Sequence, residues 1–469
     1  MGLVITSNNV QLPGYEELQP ATIECESGKI VRVTLGKVDI EKYRGDVEFL
    51  DLGDLALLPG LIECVPTINL VILHLKSKNS AHVHLNEPGR TDWEGFYTGT
   101  RAAVAGGFTV VVDMPLNSIP PTTTVKNLEL KRHAAQGQCW SDVAFWGGVI
   151  PHNQNALLPL IKAGVKGFKC FLCESGVKEF PHVTESDAKL AMEFLEPTSS
   201  VLLFHAELGS QLGPESRDPT VYDTFLKSRP DSLEFSAIDL IISLNKHYPA
   251  LRTHIVHLSS ATPLSLIKDA KASGLPLTVE TCFHYLYLTA STIPSGHPEF
   301  KCCPPIRSSE NREQLWEALA DGTIDFVVSD HSPCVSSLKC FDTGDIMKAW
   351  GGIGGLGLGL SLLWTEGRKR GIKMGKIVEW LSEKPAKHAG LAKTKGKIEP
   401  GKDADFVVFD PLAEFTVTQE SLLFKNKISP YEGLKLIGQV QKTIIRGQVV
   451  WDRSRGGDGF DLSPSGLLL

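Results

Sequence analysis

Two rhythms of apolar and polar positions divide the chain. Over residues 1–60 short apolar runs, LVITSNNVQL, ATIECESGKIVRVTLG and DVEFLDLGDLALLPG, are broken by Gly, Asn and Asp, the pattern of small strands joined by tight turns. Residues 393–469 repeat it in KGKIEPGKDADFVVFD, EFTVT and LIGQVQKTIIRGQVVWD. The two ends therefore predict one composite β-sandwich domain. Residues 61–392 alternate β-branched runs with helical stretches, which predicts βα units around a parallel sheet. Eight strands are read: HVHL, GFTVVVDMPLN, DVAFWGGVI, GFKCFLC, VLLFHAE, THIVHLSS, LPLTVETCFHYL and IDFVVSDHSP. Helices fall between them, PLSLIKDAKASG and SENREQLWEALADG among them, each ending at glycine. The expected fold is α/β, a (β/α)8 TIM-like barrel carrying the small sandwich.

In such a barrel the catalytic groups sit at the C-terminal ends of the strands. His82 and His84 close the first strand and, by period 2, leave the same face. Lys169 lies in the fourth strand, His205 and His257 late in the fifth and sixth, and Asp330 at the end of the eighth. A lone histidine in an apolar strand is ordinary core. Six such residues at one barrel mouth point to a metal centre instead.

Imidazole and carboxylate suit Zn²⁺, with Co²⁺ or Mn²⁺ as alternatives, and four histidines with one aspartate exceed what one open catalytic site uses, so two ions are expected. An ammonium cannot ligate a cation. As a ligand Lys169 fits in its N6-carboxylated form, a carbamate made with CO2 that can bridge two ions; the alternative is a lysine whose stem carries its ammonium to the rim. A water between the ions loses its proton near neutral pH and attacks a carbonyl, while Asp330 serves as general base and acid.

Composition narrows the partners. Of 469 residues 42% are hydrophobic and 22% charged, and the net charge of -7 offers no basic surface for nucleic acid or an anionic membrane. A small-molecule substrate is expected. Ten cysteines without regular spacing suggest reduced thiols, and Cys170-x-x-Cys173 is read as structural. The N-terminus lacks a secretory pattern and the C-terminus does not match the S-K-L peroxisomal address, so the expected compartment is the cytoplasm.

The segments HVHLNEPGRTDWEGFYTGTRAA, DMPLNSIPPTTT, GFKCFL, CFHYL, KCCPPIR, SDHSPC and KAWGGIGGLG go further. With them the chain resembles the amidohydrolase superfamily and, within it, the allantoinase group of the cyclic amidases. The resemblance implies a binuclear metal barrel in which His82, His84 and Asp330 hold one ion, His205 and His257 the other, and carboxylated Lys169 bridges them. It implies hydrolysis of the hydantoin ring amide of allantoin to allantoate, in purine catabolism, by a homotetramer. Dihydroorotases usually carry arginine where Asn86 stands; Asn86 shares the strand face of His82 and His84 and is expected to meet an uncharged substrate. Dihydroorotase and hydantoinase or dihydropyrimidinase are the enzyme alternatives, and an inactive scaffold the non-enzyme one. Asn117, Cys282, Arg307 and His331 are further substrate-side candidates. His284 stands between a supporting and a structural role, Pro333 recurs in a matching segment, and Gly351, Gly352, Gly354 and Gly355 are read as a loop close to the mouth.

One stretch departs from the pattern. In the family an acidic residue after LPGLI runs almost directly into H-x-H, but here residues 64–80, CVPTINLVILHLKSKNS, intervene after Glu63. This insertion reads as a retained intron, as a loop below the barrel with the ligands in place, or as a break that ruins the site. His74, two residues before Lys76, lacks the H-x-H spacing.

Overall fold

The computed structural model describes residues 2–38, 43, 47–63, 83–209, 218–460 and 463–469. His82, His74 and the insertion 64–80 lie outside the described residues. The sandwich domain is built on one eight-stranded sheet in which both ends of the chain meet. Its strands are β1 (Gly2–Val10), β2 (Gln19–Glu26), β3 (Lys29–Leu35), β4 (Val47–Asp51) and β5 (Ala56–Pro59) from the N-terminal part. From the C-terminal part come β15 (Phe406–Thr416), β16 (Lys435–Ile445) and β17 (Gln448–Asp452). Antiparallel pairing of β15 with β5 joins the two sets, from Phe406 opposite Pro59 to Phe409 opposite Ala56. Leu3, Ile5, Ile23, Leu57, Phe406, Val408 and Ile444 form its core.

The barrel strands are β6 (Leu61–Glu63), β7 (Phe108–Asp113), β8 (Asp142–Phe145), β9 (Gly147–Gly148), β10 (Phe168–Phe171), β11 (Val201–His205), β12 (Arg252–Ile255), β13 (Leu277–Cys282) and β14 (Phe326–Val328). All pair in parallel. β7, β8, β10 and β11 are buried along their whole length, because helices cover one face and the barrel interior the other. β8 and β9 are two pieces of one barrel position, interrupted at Trp146.

Two of the predicted strands differ. The first barrel strand begins as β6, and after residues 64–82 it resumes at Val83, which bridges Asp113 on one side and His331 on the other, closing the ring. Glu63 faces Val111 and Val83 faces Asp113, so the gap in the ladder is short although the gap in sequence is long. The seventh strand stops at Cys282, and Phe283–Tyr287, read as its continuation, is a short helix. The two predicted helices are present as Leu264–Ala272 and Ser309–Ala320; the second is N-capped by Ser308, whose hydroxyl accepts from the Asn311 amide. At the C-terminus Leu468 pairs with Val143 of β8, so the last residues lie on the barrel and not on the sandwich.

Candidate active site

The mouth of the barrel holds a cleft of about 260 Å³. His84, Lys169, His205, His257 and Asp330 line it together with Asn117. Each comes from a different strand, at or just past its C-terminal end, except Lys169, which sits second in β10 with its side chain reaching upward. At these ends the backbone leaves the extended form. Asn117, His257 and Asp330 have φ of 65°, 39° and 43°, a region unusual for non-glycine residues and common where a site holds its groups against local preference.

Two histidines converge. His205 Nδ1 lies 3.0 Å from His257 Nε2, and the other nitrogen of His205, Nε2, is 2.7 Å from Glu207 Oε2. Glu207 in turn accepts from Arg229 Nη1 at 2.5 Å. Burial works against its charge, but His205 and Arg229 outweigh that and hold the Glu207 carboxyl down at about 2. The carboxylate therefore fixes which ring nitrogen of His205 faces His257. Cys173, His205 and Glu207 also offer ligand atoms within 4.8 Å of one another; since Glu207 is committed to Arg229, this side of His205 reads as support and not as a second metal site.

On the opposite wall His84 Nε2 is 3.7 Å from Asp330 Oδ1, and Asn117 Nδ2 is 3.3 Å from His84 Nδ1. Burial, helped by the Lys169 charge, drives the His84 pKa down to about 3, so the ring is a neutral donor. Burial raises the Asp330 carboxyl to about 7 against the pull of Lys169. Lys169 is 1% exposed, its Nζ finds no hydrogen-bond partner among the described residues, and burial lowers its ammonium to about 8 although Glu280 and Asp330 oppose it. A buried amine without a hydrogen-bond acceptor, ringed by neutral imidazoles and a carboxylate, fits a lysine that becomes an anionic ligand better than one that stays a cation.

Comparison with known proteins follows the same line. The amidohydrolase family profile matches residues 57–450. The chain belongs to the amidohydrolase family. It is 47% identical over 464 residues to a protein named allantoinase from Saccharomyces cerevisiae, covering 96% of both chains. It is 53% identical over 349 residues to one named allantoinase, mitochondrial, from Aquarana catesbeiana, covering 74% of this chain and 68% of that one. Among solved structures it resembles the L-hydantoinase (dihydropyrimidinase) of Arthrobacter aurescens, with TM-score 0.85, 25% identity and coverage of 98% and 97%. This amidohydrolase is accordingly a hydrolase on a TIM barrel with a β-sandwich domain.

The substrate-side candidates fare differently. Asn117 lines the cleft of this amidohydrolase; Asn86, Cys282, Arg307 and His331 do not. Asn86 has φ 62° and its amide donates to the Pro333 carbonyl at 3.5 Å, so the strand alternation that aimed it at substrate has already ended. Cys282 is buried in the core. Arg307 is spent on Glu234 at 2.8 Å and Asp231 at 3.2 Å. His331 sits 3.2 Å from Glu94 and takes the Gly355 amide on Nδ1. His284 is fully buried, and neither ring nitrogen finds a hydrogen-bond partner among the described residues. Gly351 and Gly352 line the mouth, while Gly354 and Gly355 pack against Phe424 and Tyr431. Sequence reading missed Glu207, Arg229, Lys301 and Trp350. Only Glu207 carried a local signal, the H-x-E spacing with His205 that puts both side chains on one face of an extended chain.

Proposed function

We propose that this chain opens the hydantoin ring of allantoin by hydrolysing a ring amide, giving allantoate. The observation that carries this reading is the convergence of His84, Lys169, His205, His257 and Asp330 on one cleft, in a chain whose relatives over most of its length are named allantoinase. In this reading His84 and Asp330, with His82, hold one metal ion, and His205 and His257 hold the other. Lys169 as its neutral amine would add CO2, forming an N–C bond as one C–O π bond opens and one proton leaves, and the resulting carbamate would serve as an anionic ligand to the ions. Zn²⁺ is the ion proposed, with Co²⁺ or Mn²⁺ able to replace it; bound there, the pair supplies Lewis-acid activation of water and of the scissile carbonyl.

The residues do the rest. Asp330, which lines the cleft, takes a proton from water and returns it to the ring nitrogen as the C–N bond breaks. Glu207 and Arg229 keep His205 in one tautomer. Asn117, which lines the cleft, is the substrate-side hydrogen-bonding group. The protein acts as a homotetramer in a reducing compartment, the cytoplasm. No helix among the described residues is long and apolar enough to cross a membrane.

The test is allantoate formation by purified, zinc-supplemented protein, set beside dihydroorotate and hydantoin, before and after chelation, and with a variant lacking residues 64–80. Preference for allantoin that vanishes on chelation and returns with Zn²⁺ is the expected result. Turnover of hydantoin alone would favour the hydantoinase reading, which the likeness to the Arthrobacter aurescens structure keeps in view. Activity in the deletion variant alone would make the insertion inactivating, and two ions without turnover of any cyclic amide would leave the scaffold reading.

A further inference from the structure

His84 faces a problem of position. β6 ends at Glu63, and residues 64–82 lie between it and the limb Val83–Leu85 that carries His84. Neighbouring strands and loops hold that limb in the mouth. The His84 amide donates to the His331 carbonyl, the Met114 amide to the Val83 carbonyl and the Gly95 amide to the Leu85 carbonyl, each at 2.9 Å. Beside them stands a buried ion pair. Asp113, the last residue of β7, is 1% exposed, and Lys131, on the helix Val125–Ala135, is 0% exposed. Lys131 Nζ donates to Asp113 Oδ2 at 2.5 Å and to the Met114 carbonyl at 2.7 Å. The other carboxylate oxygen, Oδ1, accepts the Leu85 amide at 2.7 Å.

We infer that Asp113 and Lys131 are a positioning pair for the metal site: the carboxylate grips the limb immediately after His84 through the Leu85 amide, and Lys131 holds the carboxylate in place. The geometry is specific to this task. Asp113 is the bridge partner of Val83 and its neighbour Met114 donates the amide to the Val83 carbonyl, so the end of β7 anchors the limb on both sides of His84, by main chain before it and by the Asp113 side chain after it. Lys131 touches no cleft atom and supplies the countercharge without which a buried carboxylate would not stay ionised. Neither residue touches substrate or the reacting atoms; they act through His84. The inference rests on the reading of the mouth as a two-metal site.

The experiment uses two double variants of the full chain, so that no charge is left buried alone. Asp113→Ala with Lys131→Met removes both the ion pair and the acceptor for Leu85; Asp113→Asn with Lys131→Met keeps an amide oxygen for it. Each is stripped of metal and titrated with Co²⁺, read by visible absorption and calorimetry, and exchange of the Leu85 amide with deuterium is followed in parallel. The unaltered chain is expected to take two equivalents. The alanine variant should keep the ion on His205 and His257 but bind the other about 10- to 100-fold more weakly, with faster exchange at Leu85, and the asparagine variant, which keeps an acceptor for Leu85 but loses Lys131, should fall between it and the unaltered chain in both. Equal affinity for both ions and unchanged protection of Leu85 in the alanine variant would overturn the inference, as would loss of both ions together. If the alanine variant does not fold, the asparagine variant decides: folded, with one ion bound more weakly and Leu85 exchanging faster than in the unaltered chain, it supports the pair, and folded with both unchanged it refutes it. An unaltered chain that binds no Co²⁺ would sink the metal reading itself, and Leu85 exchange alone would then judge the clamp.

Discussion

At the scale of single residues, chemistry depends on what a side chain is already bound to. Arg307 and His331 belong to segments that resemble the cyclic amidases, yet both are occupied by carboxylates away from the cleft. Arg307→Met should leave Glu234 buried and unpaired, lowering stability by about 3–5 kcal/mol while KM stays unchanged; denaturant unfolding and steady-state kinetics separate the two. A tenfold rise in KM with stability intact would restore Arg307 to the substrate. His284 makes a prediction in pH. Burial holds its pKa at about 3 in the folded chain, against an unfolded value of about 6.5. As pH falls below 6.5 the unfolded chain takes a proton there and the folded chain does not, so stability is lost through the window from 6.5 down to 3. Between pH 7 and 5 the unaltered chain should lose about 2 kcal/mol more than His284→Leu, read as urea unfolding at both values. Equal losses would mean that His284 is charged in the fold.

At the scale of elements, alternation with period 2 holds only as far as the chain stays extended. His205 ends β11, and Glu207, two residues on, still meets it at 2.7 Å. The same alternation put Asn86 with His84, but Asn86 lies past the single bridge at Val83, where a left-handed residue turns the chain away. CFHYL has the apolar content of a buried strand and is a helix after its first residue, because a short apolar run carries no period of its own. The glycine loop was legible for a better reason, since close approach demands the absence of a side chain. A Cβ on Gly352 would lie 2.0 Å from the Ser332 carbonyl oxygen, at φ +156°. Gly352→Ala must therefore push the cleft-lining loop aside, and kcat/KM is expected to fall by about 10²-fold with Zn²⁺ content unchanged, measured by kinetics and metal analysis. Wild-type turnover in that variant would show that the loop is free to move.

At the scale of the whole molecule, the sandwich is fastened to the barrel by charge as well as by packing. Lys395, 4% exposed, lies 2.8 Å from Asp142 on barrel strand β8, 2.5 Å from Asp405 and 3.0 Å from Asp403. Arg446 adds a second bond to Asp142 at 2.6 Å. Burial opposes the Lys395 charge, but the three carboxylates outweigh it and raise its pKa. Lys395→Met would leave three carboxylates crowded at the joint, and a loss of about 3–5 kcal/mol is expected, with turnover per folded molecule unchanged, as unfolding and activity measured on the same sample will show. Unaltered stability would mean that Arg446 alone carries the joint.

The sequence by itself determined the class of fold, the meeting of both ends in one domain, and five of the groups that line the barrel mouth, His84, Lys169, His205, His257 and Asp330. Those features are local. A parallel strand buried on both faces writes itself as an apolar run, and a residue at its C-terminal end is placed by counting along that run. Tertiary structure alone decided which groups are engaged with one another: Glu207 with Arg229, Arg307 with Glu234, Asp113 with Lys131 and Lys395 with Asp142. Each pair joins elements brought together by the closing of the barrel or by the docking of the sandwich. No spacing along one strand or helix records such a contact, because it is set by the order of strands around the ring and by how deeply each helix packs.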